Sequence, residues 1–317
     1  MECNHRWAVI LAGGDGVRLL PLVRRICGDQ RPKQFCRVLG SETLLSQTRR
    51  RAARIVRPDS ILVVLTAAHE PFYREELDGL RSSSVLIQPC NRGTAPAILW
   101  ALAYIRQLDP DALVTFLPSD HYIANESVLC SHLDGAFLEA ARNPATVILL
   151  GAPPDAPEVE YGWIEPGLAL SGARTQCFHV RRFWEKPLRT LASALMELGC
   201  LWNTFIMVGR VKAFLRLFQR AAPAHFRSLY PTMSRHVRLD PVSWSGFYAG
   251  IPSTNFSQAV LATMPGALGV IRADGLGWSD LGDPVRVLSI AQRKGVDREW
   301  SLDQDTQRGL VARALGS

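Results

Sequence analysis

The first residues able to do chemistry follow the first apolar run. Leu11 to Leu19 reads LAGGDGVRL, a strand end that turns into three glycines. Glycine lacks a Cβ, so the backbone there can approach a ligand closely and aim several N–H groups at an anion. The spacing is neither G-x-G-x-x-G nor G-x-x-x-x-G-K-[ST]. Arg18 closes the loop, and Arg31-Pro32-Lys33-Gln34-Phe35 follows downstream. Arg18 and Lys33 suit neutralisation of a polyphosphate from two sides, with most of their effect on charge that builds in a transition state.

Charge distribution supports that reading. The 317-residue chain has a net charge of +7, and residues 18–57 hold 11 of its 36 Lys and Arg but only two acids, Asp29 and Glu42. A phosphate-handling site and a nucleic-acid patch both fit such a stretch. It lacks interleaved aromatics and any recognised nucleic-acid module, so nucleic acid is not expected as a partner. Arg49, Arg50, Arg51, Arg54 and Arg57 read as the solvated face of one amphipathic helix.

The elements that must position these residues follow from patterning. Apolar runs at 7–12, 60–65, 85–88, 112–117 and 147–151 read as buried strands. Helical patterns lie between them at 43–56, 71–80, 94–106 and 126–142. Buried strands joined by helices imply a parallel sheet with helices on both sides. Pro153, Pro154 and Pro157 mark a change. Strands are then expected at 162–165, 177–184, 204–208 and 268–272, with helices at 188–198, 211–220 and 284–293. The expected domain is 1–294, with a nucleotide half at 1–151, a mixed half at 152–294 and a polar tail at 295–317. The seven cysteines form no close pair and read as reduced thiols. No apolar run approaches 18 residues and no signal-peptide pattern opens the chain, so a cytoplasmic protein without a membrane partner is expected.

LAGGxGxRL with PKQF resembles the sugar-phosphate nucleotidyltransferases, and within them the mannose-1-phosphate guanylyltransferases. Further segments keep the same order: Gln88-Pro89 with RGTAPA from Arg92, PSDH from Pro118, YGWIE from Tyr161, FWEKP from Phe183, Trp202-Asn203, and GWSDLG from Gly277. The resemblance implies an α/β, Rossmann-like, GT-A-like fold with a mixed, mainly parallel sheet and an α+β sugar-binding elaboration. It implies nucleotide binding by Leu11, Ala12, Gly13, Gly14, Asp15, Gly16, Arg18, Lys33, Gln88, Gly93, Thr94, Ser119 and Asp120. Sugar-phosphate binding falls to Tyr161, Gly162, Glu185, Lys186 and Asn203. Arg18, Lys33, Asp120, Lys186 and Asp280 become the catalytic set.

The reaction that this implies is nucleotidyl transfer from an NTP, favoured GTP, to a sugar 1-phosphate, favoured mannose 1-phosphate, with release of pyrophosphate. Two anions must meet, so a hard dication held by carboxylates is needed, and Mg²⁺ on Asp120 and Asp280 meets that need. The same reaction with UTP or dTTP and glucose 1-phosphate, and a non-catalytic sugar-nucleotide sensor, are the alternatives. A homodimer is compatible with the sequence. His121 reads as a hydrogen-bonded structural histidine, and Trp163, Trp184, Trp202 and Trp278 as wall and core residues. The chain departs from the family pattern at Asp15 in the phosphate loop, Val17, Gly93 and Phe205, and it lacks an expected Asp near 252–257. Gly93→Asn is expected to sharpen guanine preference if the backbone there accepts Asn.

Overall fold

The computed structural model describes residues 5–170, 172–235 and 241–295. The tail from 296 lies outside the described residues. Eleven strands are present among the described residues: β1 (Arg6–Leu11), β2 (Ile61–Thr66), β3 (Val85–Gln88), β4 (Leu113–Pro118), β5 (Tyr122–Ile123), β6 (Val147–Ala152), β7 (Gly162–Ala169), β8 (Cys177–Glu185), β9 (Leu201–Arg210), β10 (Leu268–Arg272) and β11 (Trp278–Ser279). The α-helices are α1 (Leu20–Cys27), α2 (Leu44–Ala53), α3 (Glu70–Tyr73), α4 (Thr94–Leu108), α5 (Glu126–Arg142), α6 (Arg189–Glu197), α7 (Val211–Ala221), α8 (Pro223–Met233), α9 (Pro241–Ala249) and α10 (Pro284–Arg293).

Nine strands form one sheet in the order β3-β2-β1-β4-β9-β6-β10-β8-β7. The β3-β2-β1-β4 part is parallel, as expected. The β4–β6 neighbourhood is not. β9 from the second half inserts between them and runs antiparallel to both. The two halves therefore share one sheet. Alternation along the strands explains its burial on both faces. On β1, Val9 enters one core with α4, α7 and α8, while Ala8 and Ile10 enter the other with α2 and α5. Val114 and Phe116 of β4 split from Leu113 and Leu117 in the same way.

Two smaller clusters position the site. Leu19, Leu22 and Val23 from the start of α1 pack on Leu281, Val287 and Ile290 near α10. That contact brings the glycine loop against the Asp280 segment. Tyr161, Trp163 and Trp202 pack with Ala192 and Leu195 of α6, so Trp163 and Trp202 are core residues, as read from the sequence. The short antiparallel pair β5–β11 ties the segment after Asp120 to the segment before Asp280.

Three local expectations change. The 71–80 helix is only the single turn α3 followed by a 3₁₀ turn at Glu75–Leu77. Helices α1, α8 and α9 were not expected. Arg51 does not belong to a solvated face: it is 5% exposed, and its guanidinium donates to the Gln47 and His121 carbonyls and to Thr48 Oγ1. Burial lowers its pKa to about 10. The arginine clamps α2 to the loop that carries Asp120. The six described cysteines are free. Among the described residues, no helix is long and apolar enough to cross a membrane.

Candidate active site

The glycine loop leaves β1 where the neighbouring strands crowd it. A Cβ on Gly13 would lie 2.5 Å from Gln88 Nε2 and 2.9 Å from Thr66 Oγ1, so any larger residue would have to push these side chains aside. The loop carbonyls are held by Gln34, whose Nε2 donates to Ala12 O at 3.0 Å and Gly14 O at 2.8 Å. Gln34 is a residue that motif reading passed over. It belongs to PKQF and shapes the loop for which its neighbour Lys33 supplies charge.

Asp15 has two side-chain partners outside the loop. Its carboxylate takes a contact at 3.0 Å from His69 Nε2 and a hydrogen bond at 2.8 Å from Asn91 Nδ2. Asn91 Oδ1 in turn accepts from Gly93 N at 2.9 Å. The carboxylate thus fastens the glycine loop to the segment expected to read the base.

Lys33 is buried and central. Its Nζ donates to Asp280 O at 2.5 Å and Leu281 O at 3.3 Å, and pairs with Asp120 Oδ2 at 3.2 Å. Asp280 is 7% exposed. Its Oδ1 accepts from Tyr161 Oη at 2.6 Å and Gly282 N at 2.8 Å, and its Oδ2 lies 3.3 Å from Arg18 Nη2. Burial alone would raise the Asp280 carboxyl, but the Lys33 ammonium, the Tyr161 hydroxyl and the Gly282 N–H together hold it below its ordinary value. His121 is pushed down to about 4, chiefly by burial, so it is neutral at pH 7. Its Nδ1 accepts from Trp278 Nε1 at 3.1 Å, the structural role read from the sequence.

Tyr161 was expected at the sugar. Its ring lines the cavity, but its hydroxyl is committed on both sides: it donates to Asp280 and accepts from Arg286 Nη1 at 2.6 Å. Arg286 also pairs with Glu158 and sits 5.0 Å over the Tyr161 ring. Arg286 was not flagged by sequence; it lies on α10, 125 residues from its partner.

One cavity of about 370 Å³ takes its walls from both groups of expected site residues. Leu11, Gly13, Gly14, Gln88, Gly93, Thr94 and Ser119, expected at the nucleotide, line one side. Gly162, Glu185 and Asn203 line it from the other, and Asp120 and Asp280 belong to the same wall. Gln88 is fixed by Tyr248, whose hydroxyl donates to its Oε1 at 2.6 Å. A smaller cavity of about 240 Å³, between Gly16, Arg18, Lys33 and Gly282, shares Asp120 with the first. Lys186 borders neither cavity; its Nζ rests on Glu160 at 2.9 Å. Ala12 and Asp15 also stand outside both walls.

The end of the cavity near Glu185 holds residues absent from the motif reading. Asn255 and Ser257 donate to Glu185, and both line the cavity where an Asp was missed. Burial nevertheless raises the Glu185 carboxyl above its ordinary value, against the pull of Lys186 and of those two donors. Phe205 has φ +61, its N–H bonded to Asn203 Oδ1 at 3.1 Å and its ring against Phe256. The non-glycine residues with positive φ among those described are Lys186, Phe205 and Leu281. All three adjoin this site, as backbone strain tends to do around ligands.

Gly93 overturns one expectation. It has φ +79 and ψ −178, and an added Cβ would meet Thr254 O at 2.5 Å. No side chain fits there, so Gly93→Asn cannot restore an amide to the base site.

Comparison with known proteins places this arrangement. The nucleotidyl transferase family model matches residues 7–294. The chain is 31% identical over 293 residues to the xanthan biosynthesis protein XanB of Xanthomonas campestris pv. campestris (strain B100), covering 90% of this chain and 60% of that protein. It is 30% identical to mannose-1-phosphate guanylyltransferase 2 of Escherichia coli O157:H7, covering 87% of this chain and 58% of the relative. The chain thus spans about 60% of the length of the curated relatives it matches. A crystal structure described as mannose-1-phosphate geranyltransferase from Thermus thermophilus superposes with a TM-score of 0.76 at 27% identity, over 94% of this chain and 80% of that one.

Proposed function

We propose that this chain, which belongs to the nucleotidyl transferase family, transfers a nucleotidyl group from GTP to mannose 1-phosphate and releases pyrophosphate, with residues 1–294 acting as one catalytic unit. The observation that carries the reading is the convergence of Lys33, Arg18, Asp120 and Asp280 at the junction of a cavity whose walls come from both substrate segments. The names of the relatives suggest the pair of substrates.

In this reading an oxygen of the sugar phosphate forms a bond to the α-phosphorus of the nucleotide, and the bond from that phosphorus to the bridging α–β oxygen breaks. The electron pair leaves with pyrophosphate. A phosphate monoester is already ionised at pH 7, so no side chain has to remove a proton. Catalysis then rests on positioning and charge stabilisation. The glycine loop and Arg18 hold the triphosphate, and Lys33 neutralises it from within the fold. Lys186 attracts the acceptor phosphate, and Glu185 and Asn203 bond sugar hydroxyls.

The donor set fits Mg²⁺, which binds proteins through one or two carboxylates and takes its other ligands from water and phosphate. Among the described residues no three His, Cys, Asp or Glu side chains converge as a complete cage, which suits an ion shared with the substrates. Asp120 and Asp280 would hold it, each exchanging a present contact with Lys33 or Arg18. Bound there, the ion would supply Lewis-acid stabilisation of phosphoryl oxygens. A cytoplasmic setting belongs to the same proposal.

The test is a matrix of the four NTPs against mannose, glucose and other sugar 1-phosphates, read by pyrophosphate release. Turnover of GTP with mannose 1-phosphate above all other pairs is expected. Turnover confined to UTP or dTTP with glucose 1-phosphate would overturn the substrate assignment, and no turnover with any pair would overturn the activity.

A further inference from the structure

Arg18 and Lys186 come from opposite substrate segments, yet they meet on one carboxylate. Glu160 Oε2 lies 2.9 Å from Lys186 Nζ and 3.5 Å from Arg18 Nη1. Glu160 itself lines the main cavity, and no motif singled it out. We propose that Glu160 is a resident anion: its carboxylate takes the position between Arg18 and Lys186 that a phosphate occupies, and an incoming phosphate must displace it. The inference rests on the assignment of Arg18 and Lys186 to phosphate.

Two features separate this trio from an incidental surface pair. The backbone places the partners: Lys186 N donates to Tyr161 O at 3.1 Å, next to Glu160, and Lys186 holds φ +50 at that point. Both cations reach the same oxygen of Glu160, so a single anion satisfies them together. The side chains of Arg18, Glu160 and Lys186 are 50%, 47% and 50% exposed. Exposed pairs of this kind contribute little stability, so displacement costs little.

The consequence is a charge filter. Glu160 offers the two cations one negative charge. A phosphate monoester or a pyrophosphate carries more and replaces it, whereas a singly charged anion gains nothing by the exchange. Glu160 thereby sets a threshold at the meeting point of the two substrates. Every anion must displace it, and only one held strongly by both cations, as a multiply charged phosphate is, still binds appreciably.

The probe is inorganic pyrophosphate, titrated calorimetrically into the full chain in the presence of a chelator at low ionic strength. Glu160→Gln, of the same shape, should bind it about tenfold more tightly, because a like charge beside the ligand is gone. That gap should narrow as salt is raised. Arg18→Ala and Lys186→Ala should each weaken binding. Equal or weaker binding by Glu160→Gln would overturn the resident-anion role and show a carboxylate that positions its cations instead. Unchanged binding in both alanine variants would overturn the phosphate assignment itself. The unfolding midpoint of Glu160→Gln, measured alongside, should stay with that of the parent, since its side chain is half exposed.

Discussion

The two sides of the site are built in different ways. In the segments expected to bind nucleotide, the glycine loop and Lys33 are held largely by main chain, while Asp15 and Gln88 are held by side chains. Gln34 bonds the Ala12 and Gly14 carbonyls, and Lys33 bonds the Asp280 and Leu281 carbonyls from a buried position. On the sugar side, side chains hold one another: Lys186 on Glu160, Asn255 and Ser257 on Glu185, Arg286 on Tyr161. Two of its residues, Lys186 and Phe205, also carry left-handed backbone. A group pinned by main chain has one place to be. A group pinned by other side chains can be retuned by single substitutions. The glycine loop and Lys33 are therefore the rigid part of the proposed site, and the Glu185–Lys186 end the adjustable one.

The largest expected effect falls where the sides meet. Asp120→Asn and Asp280→Asn should each lower kcat by roughly 10²-fold or more, since each removes charge from the proposed ion site. Steady-state rates at saturating substrates check this, and near-normal kcat in either variant would break the shared-ion reading. Gly93 comes next, on the nucleotide side. Gly93→Asn should destabilise the fold by about 1–3 kcal/mol through overpacking and strain, without gain in guanine preference. Chemical denaturation together with an NTP panel decides it.

A smaller effect is expected at Glu185, and its sign follows from burial. The folded carboxyl titrates above its ordinary value, so between the two pKa values the folded chain binds more protons than the unfolded one. The contribution of Glu185 to stability is thus greatest at low pH and is lost as pH rises from its ordinary value through the raised folded value. Glu185→Gln should remove that loss, stabilising the protein at neutral pH while impairing use of the sugar phosphate. Unfolding midpoints across pH that fall in parallel for both proteins would show that the buried charge is fully compensated.

The same contrast explains what could be read in the sequence. Strands β1, β2, β4 and β6 were legible because burial on both faces leaves a continuous apolar run, and β3, an edge strand with Ile87 exposed, still carries three apolar residues in a row. The glycine loop was legible because its chemistry is local. The insertion of β9 between β4 and β6 was not, since an apolar strand of that length pairs equally well with several neighbours. Helix α8 contains Pro231, which argues against a helix interior, and α9 carries Gly246 among aromatics and shows no amphipathic stripe. Arg286, Tyr248 and Glu160 escaped notice for a further reason. Arg286 and Tyr248 take partners 125 and 160 residues away. The Glu160–Arg18 contact likewise joins distant segments, and nothing in an isolated Arg, Tyr or Glu announces such a partner. Asp15, a departure from the family pattern, likewise takes partners 54 and 76 residues away, in His69 and Asn91.

Phe205 gives the smallest effect and the sharpest measure of how the sugar side is held. Its φ of +61 is one that a residue with a Cβ adopts at a cost of about 1 kcal/mol or more. Ordinarily glycine is less stable than alanine by about 0.5–1 kcal/mol, because it loses more freedom on folding. Both Phe205→Ala and Phe205→Gly lose the ring and its contact with Phe256, so the difference between them isolates the backbone. If the left-handed conformation is imposed by the surroundings, through the Asn203 bond to the Phe205 N–H, the order inverts. The glycine variant should then be the more stable of the two by about 1 kcal/mol. Denaturant midpoints read this directly. Both variants should open the sugar end to the same degree and broaden acceptor use together. An alanine variant as stable as the glycine variant would mean that the backbone relaxes once the ring is gone. The ring, and not the Asn203 turn, would then be what holds that side of the site in shape.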